Sequence, residues 1–316
     1  MILSVSRRTD IPAFYSDWFI NRLREGCVMV RNPMNYHSIS KIELSPSVVD
    51  CIVFWTKNPQ PLMKYLSEID KNYMYYFQYT LNAYDKDIEP TLPCLDERLS
   101  AFKNLSTLIG KKRVIWRYDP ILKSKSCDIT WHIKNFEHIA KELQGFTETC
   151  VFSFVDIYEK NINNFKRQGA SIISPDEMDI IACEFSKIAK ENNIILKTCC
   201  ENINFSEYGI MHSCCIDPVL MGSLLDCKLV AKKDNSQRPS CGCIESIDIG
   251  QYNTCKHGCI YCYANYSQQA VAKNCLKHDI ASPLLLGGVE LEDKVSIRKV
   301  TSLKDLQLSF WDNDDK

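Results

Sequence analysis

Residues 254–265 read Thr254-Cys255-Lys256-His257-Gly258-Cys259-Ile260-Tyr261-Cys262-Tyr263-Ala264-Asn265, a CxxxCxxC spacing. Thiolates crowded into one short loop are costly to hold without a cation, and sulfur donors suit a soft metal. Cys255, Cys259 and Cys262 can ligate three corners of a 4Fe–4S cluster. No fourth cysteine follows at a regular local spacing, which leaves one iron open. A purely electron-carrying cluster normally has four cysteine ligands. Zinc is the main competing reading, because thiolate-rich sites serve it equally well and His257 can complete a four-ligand set. Structural zinc usually shows paired CxxC knuckles, so the spacing favours a cluster. Unligated buried thiols fit poorly with so polar a loop.

A second set lies upstream. Cys241-Gly242-Cys243 precedes the loop, and two adjacent pairs, Cys199-Cys200 and Cys214-Cys215, come earlier. Neighbouring side chains in extended backbone point in opposite directions, so at most one of each pair can join a site. Cys199 and Cys215, each beside a strand end or a turn, complete four thiols with Cys241 and Cys243. Four is the number for a closed auxiliary 4Fe–4S cluster or a zinc site. Of the other cysteines among the 17, Cys51, Cys150 and Cys183 lie in apolar segments and read as small buried hydrophobes. Cys27, Cys94, Cys127 and Cys275 are isolated and carry no signal.

These groups need a frame. Short, nearly continuous apolar runs at 2–5, 51–55, 73–80, 113–117, 150–155 and 194–198 read as strands buried on both faces of a parallel sheet. Amphipathic segments at 17–25, 95–108, 132–143 and 175–192 read as helices between them. The last starts with Ser174-Pro175-Asp176-Glu177, a good N-terminal signal. Strands alternating with helices imply βαβ units, here an α/β fold of the partial (β/α)6 TIM-like barrel kind or an open doubly wound sheet.

Both architectures bind ligands at the C-terminal ends of the strands, where this sequence is repeatedly polar. Arg7, Arg8 and Asp10 follow the first strand and Lys57 the second. Gln78, Thr80 and Asn82 end the third, and Arg117 and Asp119 lie on the fourth. Asp156 and Tyr158 follow the fifth, with Lys197, Cys199 and Glu201 on the sixth. Arg7, Asp10, Lys57, Arg117, Asp119, Asp156 and Lys197 are the candidates for catalysis or substrate orientation. Guanidinium forks match carboxylate or phosphate, although an internal Arg–Asp brace uses the same residues. Trp55 and Trp116 read as core, and Asp119 before Pro120 as a turn former.

The organisation expected is a barrel over 1–200, a cysteine-rich metal-binding extension over its mouth at 201–270, and a polar tail at 271–316. The 45% hydrophobic and 24% charged residues are those of an ordinary globular protein, and the net charge of −1 offers no general attraction to nucleic acid. The basic run Lys228, Lys232, Lys233 and Arg238 reads as a solvated loop, with nucleic-acid contact the rival. The first residues lack an apolar signal region and no run approaches membrane length, so a cytoplasmic location is expected. No Walker A or dinucleotide-binding glycine motif is present.

The CxxxCxxC spacing, with an aromatic residue before the third cysteine, resembles that of the radical S-adenosylmethionine superfamily. That resemblance implies a partial barrel and three cluster ligands, Cys255, Cys259 and Cys262, with Tyr261 beside the adenine. It implies S-adenosylmethionine on the open iron, cleavage to a 5′-deoxyadenosyl radical, and an electron donor such as flavodoxin or ferredoxin. The whole chain also resembles a bacterial family of unknown function recognised by SRRTDIP, FWTKNP, WRYDP and TCxHGCxYCYAN. The superfamily usually places its motif after the first strand, whereas here it follows the sixth. In a nearly closed barrel the sixth strand neighbours the first, and the loop still reaches the same mouth. The expected function is a radical-type iron–sulfur enzyme acting on a polar or anionic small substrate. The rivals are a nucleic-acid modification enzyme of the same chemistry and a non-catalytic iron–sulfur or zinc protein.

Overall fold

The strands are β1 (Ile2–Val5), β2 (Cys27–Asn32), β3 (Asn35–Glu43), β4 (Cys51–Thr56), β5 (Tyr75–Thr80), β6 (Val114–Ile121), β7 (Thr149–Phe154), β8 (Ile195–Cys199), β9 (Met211–Ser213), β10 (Ile247–Asp248) and β11 (Lys294–Ile297). The computed structural model that defines them describes residues 1–156, 162, 165–166 and 169–305. Eight strands form one sheet in the order β10-β1-β4-β5-β6-β7-β8-β9, with every neighbouring pair parallel. The chain is therefore a mixed α/β protein built on a large parallel sheet.

The continuous apolar character of these strands has a direct cause. Successive side chains alternate between two faces, and both faces are covered. Leu3, Val5, Ile52, Phe54, Phe77, Trp116 and Phe152 enter the larger core, shared with the helices. Ile2, Cys51, Val53, Tyr76, Ile115, Val151 and Cys199 enter a smaller one, shared with Ile216, Met221 and Ile244 of the cysteine-rich segment. Phe136 and Phe185 stack at 3.8 Å between two of the helices, and Trp116 stacks on Phe136 at 4.9 Å.

The helices are α1 (Ile11–Phe14), α2 (Ser16–Arg24), α3 (Gln60–Met63), α4 (Leu66–Ile69), α5 (Leu95–Ile109), α6 (Ile129–Glu142), α7 (Pro175–Glu191), α8 (Pro218–Leu225) and α9 (Gln268–Cys275). Ser174 caps α7 in a capping box with Glu177, and Asp128 caps α6 through the backbone N–H of Trp131. All six strands read from apolar runs are present. Strand β6 runs further than expected, so Asp119 and Pro120 lie in the strand and do not form a turn.

Two features depart from the sequence reading. Strands β9 and β10 extend the sheet at both edges, and β2, β3 and β11 form a separate three-stranded sheet. The 271–305 stretch is not a plain polar tail: it supplies α9 and β11, and Ser302 and the backbone N–H of Leu303 bond to Asp50. Tyr158 and residues 306–316 lie outside the described residues. Cys51 and Cys150 are buried as expected, but Cys183 is only half-buried.

His132 on α6 is buried, with Nε2 2.8 Å from the Leu122 carbonyl and Nδ1 3.0 Å from the Tyr118 hydroxyl. Burial depresses its pKa to about 4, although the carbonyl contact opposes this. The unfolded imidazole protonates near pH 6.5. Stability is therefore full above that pH and declines as pH falls toward 4, by on the order of 2 kcal/mol from this group. Urea unfolding at pH 7.5 and 4.5 should show a smaller acid loss in His132→Gln than in the parent.

Candidate functional site

The motif loop leaves the end of β10, and one carboxylate fixes that strand beside β1. Asp248 accepts from the hydroxyls of Ser4 and Ser6, both at 2.6 Å, from Arg7 N–H at 2.7 Å and from Gly250 N–H at 3.0 Å. A Cβ at Gly250 would lie 2.0 Å from the Ser6 hydroxyl, so only glycine permits this approach. The loop itself turns at Gly258, which has φ +73°. Asn265 holds the Cys255 carbonyl at 2.8 Å. Asp10 caps α1, accepts Lys57 N–H at 2.8 Å and meets His257 Nε2 at 2.8 Å, tying the loops after β1 and β4 to the motif. The other ring nitrogen of His257 is buried and has no hydrogen-bond partner among the described residues.

Burial and the neighbouring Cys262 and Asp10 push the Cys255 thiol well above its usual range. Burial likewise pushes Cys259 up to about 12, although the Lys57 ammonium opposes it. Two neighbouring thiols this hard to ionise are the chemistry a bound cation relieves. Below them lies a buried acid that the sequence reading did not single out. Glu89 accepts from Lys57 Nζ at 2.7 Å, from Arg98 at 3.2 Å and from the Tyr261 hydroxyl. Burial works to raise its pKa, but Lys57 and Arg98 outweigh that and hold the carboxyl below its ordinary value. Tyr261 also packs against Tyr84 at 6.2 Å, so its ring is fixed from beneath the loop.

The second cysteine set gathers five thiols, not four. Cys199 Sγ stands 3.3 Å from Cys215 Sγ. Cys243, Cys241 and Cys200 stand next to this pair and shift the ionisation of its members and of one another. Hydrogen bonds from Cys199 and Cys243 hold Cys215 well below the usual thiol range, against burial and with help from Arg117 and Arg7. Bonds from Cys200 and Cys243 draw Cys241 down to about 3. Cys199 and Cys200 were expected to diverge, but Cys200 has φ +59° and the turn brings both inward. Cys214 and Cys215 do diverge. Cys214 borders a small separate cavity of about 80 Å³.

Both sets open on one cavity of about 1250 Å³ at the C-terminal ends of the parallel strands. Its lining includes eight thiols together with Arg7, Asp10, Lys57, Arg117, Asp119 and Asp156. The cations are largely committed to acids. Arg117 meets Asp119 at 2.6 and 2.9 Å and Cys215 Sγ at 3.1 Å. Arg7 reaches Asp234 at 3.4 Å and Ser246 at 3.0 Å, and lies 5.8 Å from the Trp55 ring. Trp55 thus borders the cavity and is not core, whereas Trp116 is fully buried. Asp156 pairs with Arg238 at 2.5 Å.

Lys197 does not line this cavity. It borders the small one with Cys214, because it sits two residues before the strand end, about 7 Å below the rim. Glu201 does line it: burial raises its carboxyl to about 7, while Phe154 N–H opposes the shift at 2.8 Å. Elsewhere, His37, Glu290 and Asp293 are close enough to share a cation, but Arg31 already holds Asp293 at 2.6 and 2.8 Å.

Fold and site together define an α/β protein with a thiol-lined cavity at the mouth of a parallel sheet. Residues 2–264 match the family described as "Domain of unknown function (DUF1848)", and the chain belongs to that family. No curated protein matches the sequence. Among solved structures, a Bacteroides thetaiotaomicron protein assigned as an alpha-L-fucosidase aligns at 13% identity with a TM-score of 0.25, covering 50% of this chain and 66% of its own. A likeness that slight carries no argument.

Glu89, itself fully buried, neutralises the buried Arg98 and the Lys57 ammonium at the cavity wall. Glu89→Ala should destabilise the protein by about 3–5 kcal/mol in urea unfolding, since breaking a buried ion pair strands its partners. Lys57→Met combined with Glu89→Gln should recover part of that loss.

Proposed function

We propose that the protein is an iron–sulfur enzyme of the radical S-adenosylmethionine type, acting on a polar small molecule in the large cavity. One observation carries this reading. Cys255, Cys259 and Cys262 lie on a single loop at the end of a parallel strand, facing a cavity of about 1250 Å³, with no fourth cysteine in that loop. Three thiolates can hold three irons of a 4Fe–4S cluster and leave the fourth iron for a ligand. The chain's own residues fit such a group. Lys57 offsets charge at Cys259, and Asp10 through His257 fixes the loop against the first two strand ends. The unpartnered nitrogen of His257, within the motif, suits contact with a bound group.

The position of β10 supports the same reading. The motif comes late in the chain, yet its strand pairs with β1 at one edge of the sheet. Such an edge position suits a partial barrel whose motif-bearing strand has been moved by circular permutation, with the cysteine-rich segment over its mouth. When bound, the cluster supplies one-electron cleavage of S-adenosylmethionine, with flavodoxin or ferredoxin as a donor. The protein holds the substrate among paired charges: Arg117–Asp119, Arg7–Asp234 and Asp156–Arg238. Such pairs present both donors and acceptors, which suits a polar substrate carrying its own acid.

Anaerobic reconstitution with iron and sulfide, then dithionite and S-adenosylmethionine, should release 5′-deoxyadenosine. Cys259→Ala should lower that release at least about 100-fold, since the open-iron site is lost. Zinc bound at the motif, or a stable cluster without cofactor cleavage, would sink the proposal.

A further inference from the structure

Five thiols at the far side of the cavity belong to no part of that reaction. They converge from three separate stretches of chain: the end of β8, the loop before α8, and the Cys241-Gly242-Cys243 turn. Cys200 adopts a left-handed backbone to take part. A side chain there costs roughly 1 kcal/mol or more and persists where the surroundings require it. Apolar Ile115, Val151, Ile216, Met221 and Ile244 pack around the group, and the buried Arg117 guanidinium lies 3.1 Å from Cys215 Sγ. That guanidinium also pairs with Asp119, and beside the sulfurs it would offset the negative charge of a thiolate-ligated metal.

The spacing bears on which metal. A single tetrahedral zinc, with bonds of about 2.3 Å, draws its sulfurs to about 3.8 Å from one another. Here Cys199 Sγ and Cys215 Sγ stand 3.3 Å apart, and Cys215 also faces Cys241 and Cys200 across the group. Among the described residues, no three of these sulfurs all lie within 4.8 Å of one another. Five thiols exceed the four that one tetrahedral ion takes, and a polynuclear unit draws four ligands from such a group. We propose that Cys199, Cys200, Cys215, Cys241 and Cys243 form a second metal centre, a closed iron–sulfur cluster ligated by four of the five. This inference stands independently of the chemistry at the motif loop.

The test is metal and sulfide analysis of the anaerobically reconstituted full chain, wild type beside a Cys255→Ala/Cys259→Ala/Cys262→Ala variant. The triple variant should keep about four iron and four sulfide per chain, and the wild type about twice that. Adding Cys215→Ser and Cys243→Ser should remove the remaining iron, while Cys214→Ser, facing the other cavity, should leave it unchanged. One zinc and no iron in the triple variant would overturn the proposal, as would a Cys199–Cys215 disulfide in place of metal. Should the triple variant fail to fold, Cys215→Ser/Cys243→Ser in the wild-type chain decides: loss of about four iron supports the second cluster, and unchanged iron overturns it. A wild type that holds no more iron than a folded triple variant would instead refute the motif-loop cluster and leave this one standing.

Discussion

The carboxylate of Asp248 is the joint on which this architecture turns. It gathers two hydroxyls and two backbone N–H groups from the ends of β1 and β10, all within 3.0 Å. Hydrogen bonds to a charged acceptor are the strong kind, and four on one carboxylate fix both strand ends. Strand β10 has only two residues, too few to hold register by its own ladder. Without Asp248 the motif loop would lose its fixed origin, and the cysteines would not stand over the cavity. Gly250 belongs to the same joint, because its missing side chain is what lets Ser6 come close.

From that joint, the cavity is organised by charge compensation. Asp10 meets His257, Glu89 meets Lys57 and Arg98, Asp119 meets Arg117, and Asp234 meets Arg7. Buried pairs of this kind add little net stability but hold donors in set directions. The cavity therefore combines many formal charges with little free charge. Two thiol sets flank it, and among the described residues no three of their sulfurs all lie within 4.8 Å of one another.

The sheet was legible because its middle strands are covered on both faces and so appear as unbroken apolar runs. Strands β2 and β3 escaped because their side chains are largely half-exposed. Strand β10 escaped because two residues carry no pattern. The cysteine sets were readable from residue type and spacing, and their gathering on one cavity follows from the strand ends that carry them. Cys200 was not readable, since nothing in a sequence announces a left-handed cysteine. Glu89 was hidden for a related reason: it sits in a loop before Pro90, and only tertiary packing buries it between two cations. Lys197 misled because one polar strand residue resembles another until its height along the strand is known.

The place of β10 has a consequence for how the chain is made. Its contact with β1 joins Ser4 to Asp248, 244 positions apart, so the first strand emerges from the ribosome long before its partner exists. Until then one edge of β1 has no neighbour, and open strand edges invite wrong pairing. Cys199, Cys200 and Cys215 also precede the cysteines they meet. Assembly of this protein must therefore wait for its last quarter, and the nascent chain must be kept both reduced and unaggregated until that segment arrives.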